Sequence, residues 1–257
     1  MKVVILAGGY GTRLSEETSV IPKPLVEVAG KPLIWYIMKH YASYGFNDFI
    51  VAGGYKAGKI KEYFDDLASI SNDFKIDIAG NKKEVLKDKS PRWKVTIIDT
   101  GLETMTGGRI KKAADYIGEE TFMLTYGDGV SDINLNDLLQ FHKAHGKKAT
   151  ITAVRMPRFG LLTLDGDGKV TNFQEKRLEH SPFINGGFMV LSKKVIDYIE
   201  GDKTAFETTP MERLSEEGEL YAYKYDGFWK CVDTLRDRKE LEDIINSGNA
   251  RVAAWKD

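Results

Sequence analysis

"VVILAGGYGTRL", Val3 to Leu14, decides how the rest of the chain is read. It opens as an apolar, β-branched run without alternation, the pattern of a strand covered on both faces. It then turns through Gly8, Gly9 and Gly11 ahead of an amphipathic segment beginning near Leu33. A strand that ends in a glycine turn at the head of an α/β unit puts that turn where open α/β sheets bind ligands. Glycines let backbone N–H groups close on phosphate oxygens, as in an anion-binding nest; a tight turn that needs positive φ would explain the same cluster.

The stretch satisfies neither common phosphate motif. Gly9, Gly11 and Leu14 occupy the glycine positions of the dinucleotide fingerprint, and the third fails; no Gly-Lys-Ser/Thr follows to make a P-loop. Two cations follow instead. Arg13 offers a planar donor fork, and Lys23 offers a point charge on a backbone stiffened by Pro22 and Pro24. Each alone reads as a solvated surface charge. Joined to the glycine turn, they form a candidate triphosphate cradle.

Working outward, "DFIVAGG" (Asp48 to Gly54), "VTIID" (Val95 to Asp99) and "FMLTYGD" (Phe122 to Asp128) repeat the buried-strand pattern, with amphipathic segments between them. Strand–helix alternation predicts βαβ units and a doubly wound sheet over about residues 1–150. Beyond it come shorter strands, "KATITAVRM", "GLLTLD", "KVTNFQEK" and "FINGGFMVL", a hairpin turn at Asp165 to Lys169, and helices at "SKKVIDYIE", "AFETTPMERLSEEG" and "TLRDRKELEDIINSG". With no repeat or Pro/Gly/Ser linker, residues 1–257 read as one domain: an α/β, Rossmann-like, doubly wound mixed sheet with a smaller C-terminal β/α portion over about 151–257. Residues 71–94 interrupt the alternation as a lysine-rich excursion, read as a solvated hairpin in preference to a lid or subunit contact.

Composition narrows the partners. The 257 residues, 42% hydrophobic and 29% charged, can bury a sizeable core. The 37 basic residues nearly cancel the 38 acidic ones, so the net charge of -1 provides no field for nucleic acid, and any phosphate ligand must be small. Glycines break the N-terminal apolar run before it could form a signal or membrane segment, and the single cysteine, Cys231, excludes an internal disulfide and reads as an inert thiol. No membrane partner and a cytoplasmic location are expected.

"LAGGYGTRL" and "PKPLVEVAGKPLI", followed in order by "YGD" (126–128), "EK" (175–176), "INGGFMV" (184–190) and "GFWKCVDT" (227–234), resemble the sugar-1-phosphate nucleotidylyltransferases. The resemblance covers nearly the whole chain and implies the nucleotide-diphospho-sugar transferase fold, with a sugar-binding C-terminal portion. It implies Mg²⁺-dependent attack of α-D-glucose 1-phosphate on the α-phosphorus of CTP, giving CDP-glucose and pyrophosphate for deoxysugars of surface polysaccharide such as the lipopolysaccharide O-antigen. The same reaction with UTP and a silent nucleotide-sugar-binding regulatory subunit are the alternatives. A homo-oligomer is implied.

The residue roles follow from the resemblance and from charge. The sugar phosphate has a second pKa near ~6, so it is already a nucleophile at neutral pH and catalysis reduces to positioning and neutralisation. Leu6, Ala7, Gly8, Gly9, Tyr10, Gly11, Thr12, Arg13 and Lys23 are implied to bind the nucleotide, Arg13 facing the departing pyrophosphate and Lys23 the reacting phosphates. Asp128 and Asp233 are implied to hold Mg²⁺, a hard octahedral ion suited to one or two carboxylates, although each alone reads as a turn or cap residue. Tyr126, Glu175, Lys176, Asn185, Gly186 and Trp229 are assigned to the sugar phosphate.

The base is read from "GLETMTGGRI", Gly101 to Ile110, which replaces the Gln-containing segment of uridylyl and thymidylyl relatives. Cytosine offers acceptors at O2 and N3, so the donor-only Arg109 is the candidate base reader, with Thr104 nearby; a surface arginine is the other reading. His142 and His145 stand three apart on a predicted helix but lack a third ligand for zinc.

Overall fold

The computed structural model describes residues 1–118, 121–156, 161–174 and 182–248, apart from a few side chains, that of Arg13 among them. The opening run is strand β1 (Lys2–Ala7). A 3-10 turn over Thr12–Leu14, a one-turn helix α1 (Ser15–Thr18) and a second 3-10 turn over Lys23–Leu25 carry the chain to a small hairpin, β2 (Glu27–Val28) and β3 (Lys31–Pro32). The alternation then follows as expected: α2 (Leu33–Ser43), β4 (Asp48–Gly53), α3 (Ala57–Ile70), β5 (Asp73–Asp77), β6 (Lys82–Lys87), β7 (Lys94–Asp99), α4 (Thr106–Ile117) and β8 (Phe122–Tyr126).

The second half runs β9 (Gly129–Ser131), α5 (Leu135–His145), β10 (Ala149–Arg155), β11 (Leu161–Leu164), β12 (Val170–Gln174), β13 (Phe183–Leu191), α6 (Thr209–Glu216), β14 (Leu220–Tyr225), β15 (Trp229–Cys231) and α7 (Leu235–Asn246). The segment expected as a helix at "SKKVIDYIE" is instead a 3-10 helix over Lys193–Tyr198. Its reason is local: three residues per turn stack Val195 and Tyr198 on one side, and both are buried. The turn at Asp165 joins β11 and β12 as an antiparallel pair, with the Asp165 carboxylate accepting from the N–H groups of Asp167 and Lys169.

Seven strands form the central sheet in the order β14-β10-β13-β8-β1-β4-β7, parallel except where β13 opposes both of its neighbours. Both faces are covered, which is why β1 shows no alternation. Val3, Ile5 and Ala7 pack into one core with Ile34, Ile37 and Tyr41 of α2, while Val4 and Leu6 join the opposite core with Ile110, Ala113 and Ile117 of α4. β1 continues to β4 on one side and pairs with β8 on the other, so the strand order reverses there. A reversal of this kind opens a crevice at the carboxyl ends of the two strands.

Two glycines open α4 because another backbone crosses it. A Cβ on Gly107 would lie 2.6 Å from the Thr204 carbonyl oxygen, and one on Gly108 would lie 2.7 Å from Asp202 Cα. The approach is fixed by Met105 and Gly108 donating to the carbonyls of Asp202 and Thr204. Residues 71–94 contain the β5–β6 hairpin, exposed along both strands, and it carries the large apolar side chains of Phe74, Ile76, Ile78, Val85 and Leu86.

Candidate active site

The glycine turn and "YGD" meet at the sheet's reversal. Gly127 N–H donates to the Leu6 carbonyl at 2.9 Å, and a Cβ there would lie 2.8 Å from Pro24 Cγ and 2.9 Å from the Leu6 oxygen, so only glycine permits the approach. Asp128 follows immediately. β15 pairs antiparallel with β9, opposing Cys231 to Gly129, and Val232 N–H donates to the Asp128 carbonyl. That pairing sets Asp233 beside Asp128. Thr234 then caps α7 in a capping box with Asp237, whose carboxylate also accepts from Asp233 N–H, so the backbone carrying Asp233 is anchored on both sides.

Lys23 completes the group. Pro22 is extended and Pro24 lies inside the 3-10 turn, and from this rigid mount the ammonium donates to Asp128 Oδ2 at 2.6 Å and Asp233 Oδ1 at 2.7 Å. Burial on its own would depress the Lys23 pKa, but the carboxylates outweigh it and the ammonium is held above its ordinary value. Cys231 stands in the same cluster: its sulfur and one oxygen from each aspartate lie within 4.8 Å of one another. Burial first, then the Asp128 charge, pushes the thiol pKa up, so it is neutral. Two carboxylates converging on one cation have the chemistry to hold a divalent ion, and the cation they hold in this structure is the Lys23 ammonium.

Lys23, Asp128 and Asp233 border a cavity of about 430 Å³. Its wall includes Leu6 to Thr12, Lys23, Thr104, Arg109, Tyr126, Asp128 and Asp233, residues that lie far apart in the sequence. The family model for nucleotidyl transferases matches residues 2–257. The chain belongs to the nucleotidyl transferase family. The glucose-1-phosphate cytidylyltransferase of Salmonella typhi is 49% identical to it over 258 residues, covering 100% of each chain. A probable glucose-1-phosphate cytidylyltransferase of Bacillus subtilis is 46% identical over 257 residues, covering 99% of this chain and 100% of that protein. HddC from Yersinia pseudotuberculosis, solved in complex with GMP-PN, superposes with a TM-score of 0.69 at 26% identity, covering 95% of this chain and 99% of that one.

In this nucleotidyl transferase Arg109 is not a surface residue. It is 4% exposed, and its guanidinium donates to the carbonyls of Gly8, Gly53 and Gly101 and to the Thr100 hydroxyl, tying together the ends of β1, β4 and β7. Gly8 and Gly54 form its cradle: a Cβ on either would fall 2.1–2.2 Å from the guanidinium. Thr104 is buried beside it and donates to the Thr100 carbonyl at 2.6 Å.

Four of the sugar-side candidates, Tyr126, Asn185, Gly186 and Trp229, are linked to one another. Asn185 donates to the Tyr126 hydroxyl at 3.3 Å, and Trp229 Nε1–H donates to the Gly186 carbonyl at 2.7 Å. The Trp229 indole is therefore half-buried against backbone and tethered by its polar edge. Arg13 is placed by its backbone in the 3-10 turn after the glycines, and Glu175 and Lys176 lie outside the described residues.

Sequence reasoning passed over Glu207 and Glu103. Glu207 accepts from the hydroxyls of Tyr126 and Thr106, and Glu103 accepts from Tyr10 at 2.7 Å. Nothing in "AFETTP" or "GLETM" marks either glutamate as facing a tyrosine. Cys231 had one signal, its position two residues before Asp233. His142 and His145 are not metal-directed: Nδ1 of the first and Nε2 of the second share the Thr150 hydroxyl at 2.9 and 2.7 Å.

Proposed function

We propose that the protein converts CTP and α-D-glucose 1-phosphate to CDP-glucose and pyrophosphate. The observation that carries this reading is the Lys23–Asp128–Asp233 group at the edge of the glycine-turn cavity, in a chain that aligns end to end with relatives named for that activity. A phosphate oxygen of the sugar phosphate attacks the α-phosphorus; the bond from the α-phosphorus to its bridging oxygen breaks, and pyrophosphate leaves with the electron pair. No protein base is needed, because the nucleophile is already ionised.

Asp128 and Asp233 would hold the divalent ion, which in this family reading is Mg²⁺; bound there, it supplies charge neutralisation at the phosphates. Lys23 and Arg13 supply the remaining positive charge, and the turn Gly8–Gly11 supplies backbone donors. Thr104 and Arg109, which line the same cavity, would take the base. Because the two terminal nitrogens of Arg109 already serve five oxygens, their reading of cytosine requires one of those bonds to be shared or released. Tyr126, Asn185, Gly186 and Trp229, with Glu175 and Lys176, take the sugar phosphate.

The direct test incubates the protein with Mg²⁺, glucose 1-phosphate and each of the four common NTPs while pyrophosphate is measured. Release with CTP in clear preference is expected. Preference for UTP would replace the base assignment, and silence with every NTP would remove the activity.

A cytoplasmic homo-oligomer completes the proposal. No helix among the described residues is long and apolar enough to cross a membrane. The apolar side chains on the β5–β6 hairpin support a second copy of the chain as their cover. Light scattering should therefore give a mass that is a multiple of 28.9 kDa; a monomer at micromolar concentration would contradict it.

A further inference from the structure

The two carboxylates at the head of the cavity already share one cation that belongs to the chain. Lys23 Nζ lies at hydrogen-bond distance from both Asp128 and Asp233, and the lysine and Asp233 side chains are only 14% and 16% exposed. Removing the lysine would leave two poorly hydrated carboxylates facing each other, a repulsive arrangement. Keeping it obstructs a divalent ion, because an ammonium and a doubly charged ion cannot both sit at the same carboxylate oxygens without strong repulsion.

The local build favours exchange over crowding. Lysine is a compact charge on a flexible four-carbon stem, able to swing where an arginine fork would be geometrically committed. Its backbone cannot follow, since Pro22, Pro24 and the 3-10 turn fix it, so the ammonium moves on its stem alone. An acceptor within the same cavity would be any phosphate seated on Gly8 to Gly11, which line the wall together with Lys23.

We propose that Lys23 is the resident counter-ion of the Asp128–Asp233 pair, and that a divalent cation enters by exchange with it. This rests on the functional reading of the site given above. In the free protein the ammonium holds the pair closed to metal. A phosphate-bearing nucleotide draws the ammonium onto its own oxygens, uncovers the carboxylates, and so tightens cation binding beyond what direct metal–phosphate contact provides. By linkage the cation tightens nucleotide binding by the same factor.

The test titrates Mn²⁺ into the nucleotide-free protein, with the free ion read by electron paramagnetic resonance. Lys23→Met should bind Mn²⁺ at least about tenfold more tightly than the wild type, the effect of removing one cation from beside the pair. Lys23→Gln should do the same and serves if the methionine variant does not fold; Lys23→Arg, which keeps the charge, should stay weak. Affinity equal to or weaker than wild type in the neutral variants overturns the proposal. So does tight binding that survives Asp233→Asn in the Lys23→Met chain, because the ion would then lie elsewhere. The titration involves no turnover, so the two readings fail separately. Tightened Mn²⁺ binding without pyrophosphate from any NTP removes the activity alone, and pyrophosphate release with indifferent Mn²⁺ affinity removes the exchange alone.

Discussion

Asp233→Asn is expected to lower pyrophosphate release by about 10²–10³-fold, the scale of losing one preorganised electrostatic element of a phosphoryl-transfer site. Asparagine keeps the shape and removes the charge. The backbone that presents residue 233 is held by bonds that do not involve its side chain: Val232 N–H to the Asp128 carbonyl, and Asp233 N–H to the Asp237 carboxylate. The fold should therefore survive. What is lost is one of the two carboxylates on Lys23, whose ammonium keeps Asp128 as a partner, and with it half of the candidate cation site. Asp202→Asn is the matched control, because Asp202 also pairs with a lysine at 2.7 Å but does so on the surface with Lys112. Near-normal turnover of Asp233→Asn in Mg²⁺, with Asp202→Asn likewise unaffected, would take Asp233 out of the chemistry.

Much of the sheet was legible because burial on both faces writes itself as unalternating apolar runs, and β1, β4 and β8 each carry one, while the edge strand β7 carries such a run with only Ile98 buried. The glycine turn was legible for a similar reason: three glycines after such a run have few other uses. The meeting of Asp128 with Asp233 was not, because it depends on β9 and β15, strands of three residues each whose pairing spans a long loop of sequence. A family pattern supplied what local periodicity could not. The burial of Arg109, which overturns its reading as a surface residue, was not legible for the opposite reason. Its partners are carbonyls of three different strand ends, and carbonyls leave no trace in a sequence. The two glycines of its cradle, Gly8 and Gly54, lie in separate βα turns, so the need for both appears only once the sheet is assembled. The 3-10 helix at Lys193–Tyr198 escaped because a six-residue segment with apolar side chains three apart satisfies either helical period.

The wild type is expected to lose about 4 kcal/mol of stability between about pH 7 and about pH 5, through two buried imidazoles that must remain neutral in the fold. His40 is 3% exposed and His142 5% exposed. Burial pushes each imidazole from 6.5 to about 4, against the Ile133 carbonyl and Asp132, which pull His40 up, and with the neighbouring His145, which pushes His142 further down. His145, itself held low by burial and Lys147 against Glu219, acts in the same direction. Each neutral ring has a job. His40 Nε2–H donates to the Ile133 carbonyl at 3.0 Å, while the Thr150 hydroxyl can donate to one imidazole and accept from the other only if at least one ring nitrogen is unprotonated. The unfolded chain binds these protons near 6.5 and the folded chain only near 4, so stability is complete above the upper value and falls as the pH drops through the window. Down to about pH 5 each group forfeits about 2 kcal/mol, and carboxylates that are depressed in the fold, such as Asp237 and Glu240, respond at lower pH. Urea midpoints measured across that range should fall steeply in the wild type and about half as steeply in His142→Asn, where Thr150 keeps a polar neighbour but one proton trap is gone. A wild-type loss of about 2 kcal/mol would mean that one imidazole accepts its proton inside the fold, most readily at the His142–Thr150–His145 junction, where two of the rings share one hydroxyl, and a loss below about 1 kcal/mol would mean that both do.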